Sequence, residues 1–414
     1  MNTSNFAAVI ADDLTGADDT ALQFFAEGAR VQTAVNIEAE IDESFNTQVF
    51  AFSTESRNLN KEEAAKKVLY AAENVLKKYN FEYIYKKIDS VLRGNIAVET
   101  AVLLDALNYD AALIFPAFPD EGRTSIGGFQ LLNGIPVQRT EYSQDVKYPV
   151  TESNILNIFK NSFPAEKTGL IPLDIVMKGA APVLSKLNEL ISNGCRFIAA
   201  DAVSNADLEQ TALALSKSPY KILPAGSAGA ARALSRIWHS GSSEEKAEVK
   251  IPELPNLIIS GSASNLTAEQ IKNLKNCTDI ENKYLIPLKT EDISSGRCSE
   301  LSAKISALLE NKNTVIVHTS ELIENTGMFD ITDYLAAVLK NVFMHKEAVL
   351  ITIGGETSYK CLNAIECRNI KFLDTAAPAV PLCIDSKGRY IITKSGNLGN
   401  GDTLIDIIKY LEQK

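Results

Sequence analysis

Histidine and cysteine are scarce, three of one and six of the other in 414 residues. The histidines, His239, His318 and His345, lie far apart in sequence, and no HExxH or cysteine-ligand spacing occurs, which disfavours zinc hydrolysis. Without a GxSxG elbow, triad hydrolysis is disfavoured as well. The cysteines begin at Cys195, show no CxxC pair and fall far below the density of a disulfide scaffold, so they read as buried reduced thiols. Long apolar runs are missing too. Nothing approaches the roughly 18 residues that a membrane helix requires, and the longest candidate, residues 111–118, is of strand length. Basic charge is in deficit: the net charge of −11 leaves no basic footprint for nucleic acid, so any anionic substrate must be gripped by locally placed cations. There is no GxxxxGK[ST] loop, and the last glycine cluster has the spacing GxxGxG, not that of the dinucleotide fingerprint.

What is present is an ordinary globular balance, 45% hydrophobic and 22% charged, in a chain long enough for two or three domains. The opening MNTSNFAAVIADD has no basic residue before its short apolar run, and that run ends in acids, so it reads as the first strand of a cytoplasmic protein. Short β-branched runs then alternate with longer segments of helical period. Strands are predicted at 6–11, 48–52, 83–87, 111–116 and 197–201, and helices at 61–79, 96–107, 182–192 and 204–217. In the 61–79 segment, Ala64, Ala65, Val68, Leu69, Ala72, Val75 and Leu76 form the apolar stripe. Residues 240–255, SGSSEEKAEVKIPELP, carry no apolar period. The expected organisation is a domain over 1–240, a linker over 241–255 and a second domain over 256–414 with strands at 257–260, 314–318 and 348–353 and helices at 299–310, 334–341 and 403–412. The fold class that follows is α/β, two domains with mostly parallel sheets and a cleft between them. Residues 118–150 break the rhythm. An Asn-Gly pair between apolar runs predicts a β-hairpin excursion, a lid or the interface of a homodimer.

The chemistry collects at predicted strand ends. The first strand runs into Asp12-Asp13-Leu14-Thr15-Gly16-Ala17-Asp18-Asp19-Thr20. Helix capping and dipole complementarity account for Asp18, Asp19 and Thr20. Asp12 and Asp13 precede the turn and suit a base or a metal ligand. The second strand delivers Ser53-Thr54-Glu55-Ser56-Arg57, and the third Lys87, Asp89, Ser90, Arg93, Gly94 and Asn95. Arg57 and Arg93 are placed to clamp a small carboxylic acid through their planar forks. In the second half three glycine turns, around Ser262, at Gly354-Gly355-Glu356-Thr357 and at Gly396-Asn397-Leu398-Gly399, have the character of a nucleotide-phosphate site. Gly226-Ser227-Ala228-Gly229 is a further such turn, better explained by tight helix packing.

Taken in order, IADDLTGADDTA, STESR, KKIDSVLRGN, PAFPDEGRTSIGGFQLLNGIPV, DVKYPVTES, GSAG, SGSAS, GGET and KSGNLGN resemble the four-carbon acid sugar kinases over essentially the whole chain. Two positions depart from that family's pattern: its usual Gly-Gly-Asp-Thr is Gly354-Gly355-Glu356-Thr357 here, and Asn397-Leu398 stands where Gly-Phe is common. The resemblance implies phosphorylation of the terminal hydroxyl of a tetronate by ATP with Mg²⁺. The acid would bind in the first domain and ATP in the second. The STESR and KKIDSVLRGN segments look more like the D-threonate and D-erythronate kinases than the 3-oxo-tetronate kinases. On this reading Arg57 and Arg93 face the acid's carboxylate and Lys87, Asp89, Ser90 and Asn95 its charge and hydroxyls. Asp12 or Asp13 takes the proton, and Ser262, Gly355, Glu356, Thr357, Gly396 and Gly399 face ATP. The metal's protein ligands are not legible. The rival classes are a nicotinamide-dependent hydroxy-acid oxidoreductase, which lacks the fingerprint, and a non-catalytic sugar-acid sensor.

Overall fold

The computed structural model describes residues 6–145, 148–238, 249–294, 296–322 and 330–414. The chain divides into two compact units, one of residues 1–31 and 46–244, the other of residues 32–45 and 245–414. The expected linker over 241–255 lies partly outside the described residues, as do Val146 and Lys147 of the DVKYPVTES segment. Past that gap, Val249 and Ile251 pack against the core of the second unit.

In the first unit seven strands form a parallel array in the spatial order Val49–Ser53, Ala7–Ala11, Tyr83–Lys87, Ile222–Gly226, Ala111–Phe115, Cys195–Ala200, Lys167–Ile171. Every residue of Ala7–Ala11, Val49–Ser53 and Ala111–Phe115 is buried, as expected for strands covered on both faces. The edge strand Lys167–Ile171 alternates instead, and its polar, glycine-containing KTGLI carries no strand signal in the sequence. Ala7–Ala11 has the strand that follows it in this unit on one side and the next on the other, so the connections diverge at its carboxyl end. In open α/β sheets ligands bind at such a point.

The predicted helix over 61–79 is α-helical for Lys61–Ala71, passes through a π turn at Ala72–Leu76 and ends in Lys77–Tyr79. Ala64, Val68, Ala71, Ala72, Val75 and Leu76 are buried at ordinary helical spacing, while Leu69, in the α-helical part, faces solvent. The excursion is a three-stranded antiparallel sheet, Arg123–Ile126, Phe129–Leu132 and Ile135–Pro136. Asn133 and Gly134 join the last two strands with φ of 49° and 79°, the double left-handed geometry that makes Asn-Gly the favoured hairpin turn. The sheet leaves Ile126, Phe129 and Ile135 exposed.

The second unit runs Lys283–Pro287, Thr314–His318, Asn256–Ser260, Val349–Ile353, Tyr390–Lys394 in parallel, then continues antiparallel through Val380–Asp385 and Asn369–Ala377. The last of these pairs with the strand Val31–Ala34, whose residues 32–34 belong to this unit. The two neighbouring strands at 369–385 are not marked by the sequence pattern, nor is their distant partner. None of the six cysteines forms a disulfide, and four of them are buried.

Candidate functional site

Asp13, not Asp18 or Asp19, caps the helix Leu14–Ala26: its Oδ1 accepts the Gly16 N–H at 2.8 Å, and no acidic residue falls in the first turn. Capping and dipole effects therefore do not explain Asp18 and Asp19, which lie deeper in the helix and are buried. Thr20 is also buried, its hydroxyl without a partner.

Asp12, at the end of the first strand, faces Arg57 from the next loop. The backbone N–H groups of Ser56 and Arg57 donate to the Asp12 carbonyl at 3.1 and 3.2 Å, setting the loop over it. From there the guanidinium grips Asp12 with Nε to Oδ2 and Nη2 to Oδ1, both at 2.9 Å. Its Nη1 bonds Asp13 Oδ2, and Nη2 lies 3.7 Å from Asp89 Oδ1. Gly94 passes directly above. Its φ is +89°, and a Cβ there would sit 2.7 Å from Asp12 Oδ2, so both conformation and space require glycine. Arg93 makes a matching fork on Asp89, with Nε and Nη2 both at 3.0 Å, and stacks over Tyr142 at 5.1 Å. Asn95 is a brace: its Nδ2 donates to the Ser56 and Leu59 carbonyls at 3.2 and 2.9 Å. Ser90, half-buried, has its carbonyl held by Gln130 Nε2 at 2.7 Å, which ties the excursion sheet to this loop.

Asp12, Arg57, Lys87, Asp89, Ser90, Arg93, Gly94 and Asn95 thus meet at the ends of three adjacent strands. Both arginine forks are occupied by protein carboxylates. Lys87 is only 5% exposed, and its side-chain ammonium makes no hydrogen bond or ion pair with any described residue. Burial raises the affinity of Asp12 for a proton, yet Arg57, with Lys86 and Lys87, more than offsets it and holds the carboxyl below its usual range. Asp89, likewise buried, is driven far down by Arg93, Arg57 and Lys87.

Four charged residues of this region receive no role from the sequence. Lys86 and Glu99, each side chain 1% exposed, form an ion pair at 2.8 Å, and Ser56 Oγ donates to the other Glu99 oxygen at 2.7 Å. An acid in the first turn of the largely apolar helix Ile96–Ala106, whose other acid, Asp105, lies near its far end, was the available signal. Glu55, at φ +47°, is pushed up to about 8 by burial, against the hydrogen bond from Ser53 Oγ at 2.7 Å. Arg123, from the excursion sheet, is buried with its Nε unpartnered.

In the second unit the three glycine turns follow the adjacent parallel strands Asn256–Ser260, Val349–Ile353 and Tyr390–Lys394 and lead into the helices Asn265–Asn276, Gly355–Ala364 and Thr403–Glu412. They interlock around Ser262. Ser264 N–H donates to Ser262 Oγ at 3.2 Å, and Thr267 Oγ1 lies 3.2 Å from that oxygen and 2.9 Å from the Gly396 carbonyl. A Cβ on Gly396 would collide with Ser262 Oγ and stand 3.1 Å from Ser262 Cβ, and one on Gly261 would collide with Thr357 Oγ1. Gly354 has φ +105° and donates to the Lys394 carbonyl at 2.8 Å. Gly355 opens its helix. Glu356 lies 3.4 Å from Thr332 Oγ1 and 3.7 Å from Lys360 Nζ. Gln270 Nε2 holds the Leu398 and Asn400 carbonyls at 3.3 and 2.7 Å, fixing the turn that carries half-buried Asn397 and Gly399. Backbone at the mouths of three parallel strands, too close for side chains, fits phosphate oxygens. Among the described residues no group of three or more His, Cys, Asp or Glu side chains is placed to hold a metal ion. No described helix is long and apolar enough to cross a membrane.

Residues 7–234 match the sugar-binding N-terminal domain, and residues 257–404 the nucleotide-binding C-terminal domain. The chain is 28% identical to a D-threonate kinase of Salmonella typhimurium, with 98% of each covered. It is 27% identical to a D-erythronate kinase of Heliobacterium modesticaldum, over 98% of this chain and 97% of that one. A 3-oxo-tetronate kinase of Haemophilus influenzae matches at 29% identity over 95% and 97%. A crystal structure of a Salmonella typhimurium LT2 protein shares the fold with a TM-score of 0.82 at 21% identity, covering 97% of this chain and 98% of that one. With both domains present in order and kinases of these acids related to it from end to end, the chain belongs to the four-carbon acid sugar kinase family.

Proposed function

We propose that this protein transfers the γ-phosphoryl group of ATP to the terminal hydroxyl of a four-carbon sugar acid, D-threonate or D-erythronate, in the cytoplasm where ATP is supplied. The observation that carries the reading is the buried, unpartnered Lys87 ammonium at the divergence point of the first unit's sheet. It offers a positive charge without a hydrogen bond or ion pair of its own where a small acid would bind, in a protein whose net charge repels anions. In this reading Lys87 receives the acid's carboxylate, flanked by Arg57 and Arg93. Those two arginines also fix Asp12 and Asp89 rigidly enough to orient hydroxyls, together with Ser90 and the loop that Asn95 braces. Asp12 and Asp13 align the acceptor hydroxyl. Alignment is the larger part of the chemistry, because phosphoryl transfer is accelerated mainly by positioning and charge stabilisation.

The turns around Ser262, at Gly354-Gly355-Glu356-Thr357 and at Gly396 to Gly399 would hold the triphosphate. Mg²⁺, which offsets phosphate charge when bound, is taken to arrive on the nucleotide, since no described side-chain cluster holds it independently. The relative named for 3-oxo-tetronate keeps that acid as the alternative substrate. ADP release with Mg·ATP is to be measured against D- and L-threonate, D- and L-erythronate and 3-oxo-tetronates, with the phosphate position in the product read by NMR. Turnover of one D-tetronate is expected, and turnover of the 3-oxo acid alone would replace the substrate assignment. ATP-independent binding without turnover would favour a sensor, and absorbance change at 340 nm with NAD an oxidoreductase.

A further inference from the structure

Transfer to a hydroxyl releases a proton, and the two carboxylates nearest the end of the first strand are already engaged. Asp12 is held through both oxygens by Arg57, and Asp13 divides its oxygens between the Gly16 N–H and Arg57. Asp19 is different. It is 8% exposed, its Oδ1 is fully buried without a partner, and its carboxylate accepts no hydrogen bond from any described residue. It lies one turn beyond Gly16 on the same helix face. At Gly16 the Lys87 Nζ approaches to 3.3 Å of the position a Cβ would take. A buried carboxylate and a buried ammonium therefore share one face yet do not close into an ion pair. Leaving the enclosed Asp19 oxygen unsatisfied is costly. A ligand with an anionic end for Lys87 and a hydroxyl for Asp19 would satisfy both, and a sugar acid with a terminal hydroxyl has that form.

We propose that Asp19 accepts the proton of the acceptor hydroxyl during phosphoryl transfer. This rests on the kinase reading above. In the step the substrate O–H bond breaks and an Asp19 O–H bond forms. The hydroxyl oxygen bonds to the γ-phosphorus, and the γ-phosphorus to β,γ-bridging-oxygen bond breaks, leaving its electron pair on ADP. The groups acting on Asp19 are Asp13 from the cap, Lys87 and Tyr85 from the strand Tyr83–Lys87, Glu121 from the turn Pro119–Glu121 and Arg123 from the strand Arg123–Ile126. Burial is the largest influence, and with Glu121 and Asp13 it outweighs Lys87 and Arg123, pushing the carboxyl up to about 7. That suits a group that must take a proton near neutrality. Glu55 is raised as well, but the Ser53 hydroxyl already occupies one of its oxygens.

The test compares wild type with Asp19→Asn on whichever acid wild type turns over, from pH 5.5 to 9. Wild-type kcat is expected to fall about tenfold per pH unit below pH 7. Asp19→Asn should lower kcat by about 10²–10⁴-fold with both KM values within about threefold of wild type, and should lose the acidic limb. Turnover by Asp19→Asn within about threefold of wild type, or a raised KM with kcat kept, overturns the proposal while leaving the kinase reading intact. Absence of wild-type turnover on every acid overturns the kinase reading and the proposal with it. A ¹³C carboxyl titration of wild type keeps the matter decidable if the variant does not fold. The Asp19 resonance is expected to titrate near 7, and titration near 4 overturns the assignment.

Discussion

Replacing Arg57 by methionine removes the shared cation from three buried carboxylates. The guanidinium contacts Asp12 twice at 2.9 Å, bonds Asp13, and stands 3.7 Å from Asp89. Unit charges about 4 Å apart interact by about 4 kcal/mol at an effective dielectric near 20. Breaking a buried pair from one side costs about 3–5 kcal/mol, because the remaining charge is left uncompensated. For a unit of this size each kcal/mol lowers Tm by about 2–4 °C, so a loss of about 6–20 °C is expected at pH 8. The pH dependence gives a second reading. In wild type the Asp12 and Asp89 carboxyls titrate below their unfolded values, so their stabilisation is present above about pH 4 and disappears as pH falls through the folded values. Without Arg57, burial dominates at Asp12 and lifts its carboxyl above the unfolded value. Ionisation then opposes folding, and acidification towards pH 5 relieves it. Differential scanning calorimetry of wild type, Arg57→Met and Arg57→Lys at pH 8 and pH 5 should show the gap to Arg57→Met narrowing at the lower pH, with the lysine variant between the two. A variant melting within about 2 °C of wild type at pH 8, or a gap that does not change with pH, would refute the reasoning.

Lys86→Met should destabilise by about 3–5 kcal/mol in a chemical denaturation series, since it strands Glu99 in the core, whereas Lys86→Met with Glu99→Leu should recover most of that loss. If the double variant is no more stable than the single one, the pair is not the origin of the cost. Gly396→Ala inserts a methyl group against Ser262 and should raise the KM for ATP about tenfold or more while leaving the thermal shift produced by the acid unchanged. Equal losses for both ligands would argue against a nucleotide role for that turn.

The sequence shows strand ends better than it shows partnerships. Asp12, Arg57, Lys87 and Arg93 stand out because parallel-sheet strands are apolar and their carboxyl ends abruptly are not. The three glycine turns stand out for the same reason. What Arg57 grips is set 44 and 45 residues away in the chain, whereas the Arg93 fork is filled locally by Asp89, four residues earlier. The helical stripe over 61–79 is legible, but the π turn at Ala72–Leu76 is not, because a one-residue shift of hydrogen bonding leaves composition unchanged.

By itself the sequence determines the alternation of strands and helices, the Asn-Gly hairpin, the polar loops at strand ends and the family, since these depend on local conformational preference or on residue order. The tertiary structure alone decides that residues 32–45 belong with 245–414, through pairing of Val31–Ala34 with Asn369–Ala377. It alone buries Lys86 against Glu99 and leaves Lys87, its neighbour, without a partner. Adjacent strand residues point to opposite faces, and which face holds a carboxylate depends on elements that meet only when the chain folds.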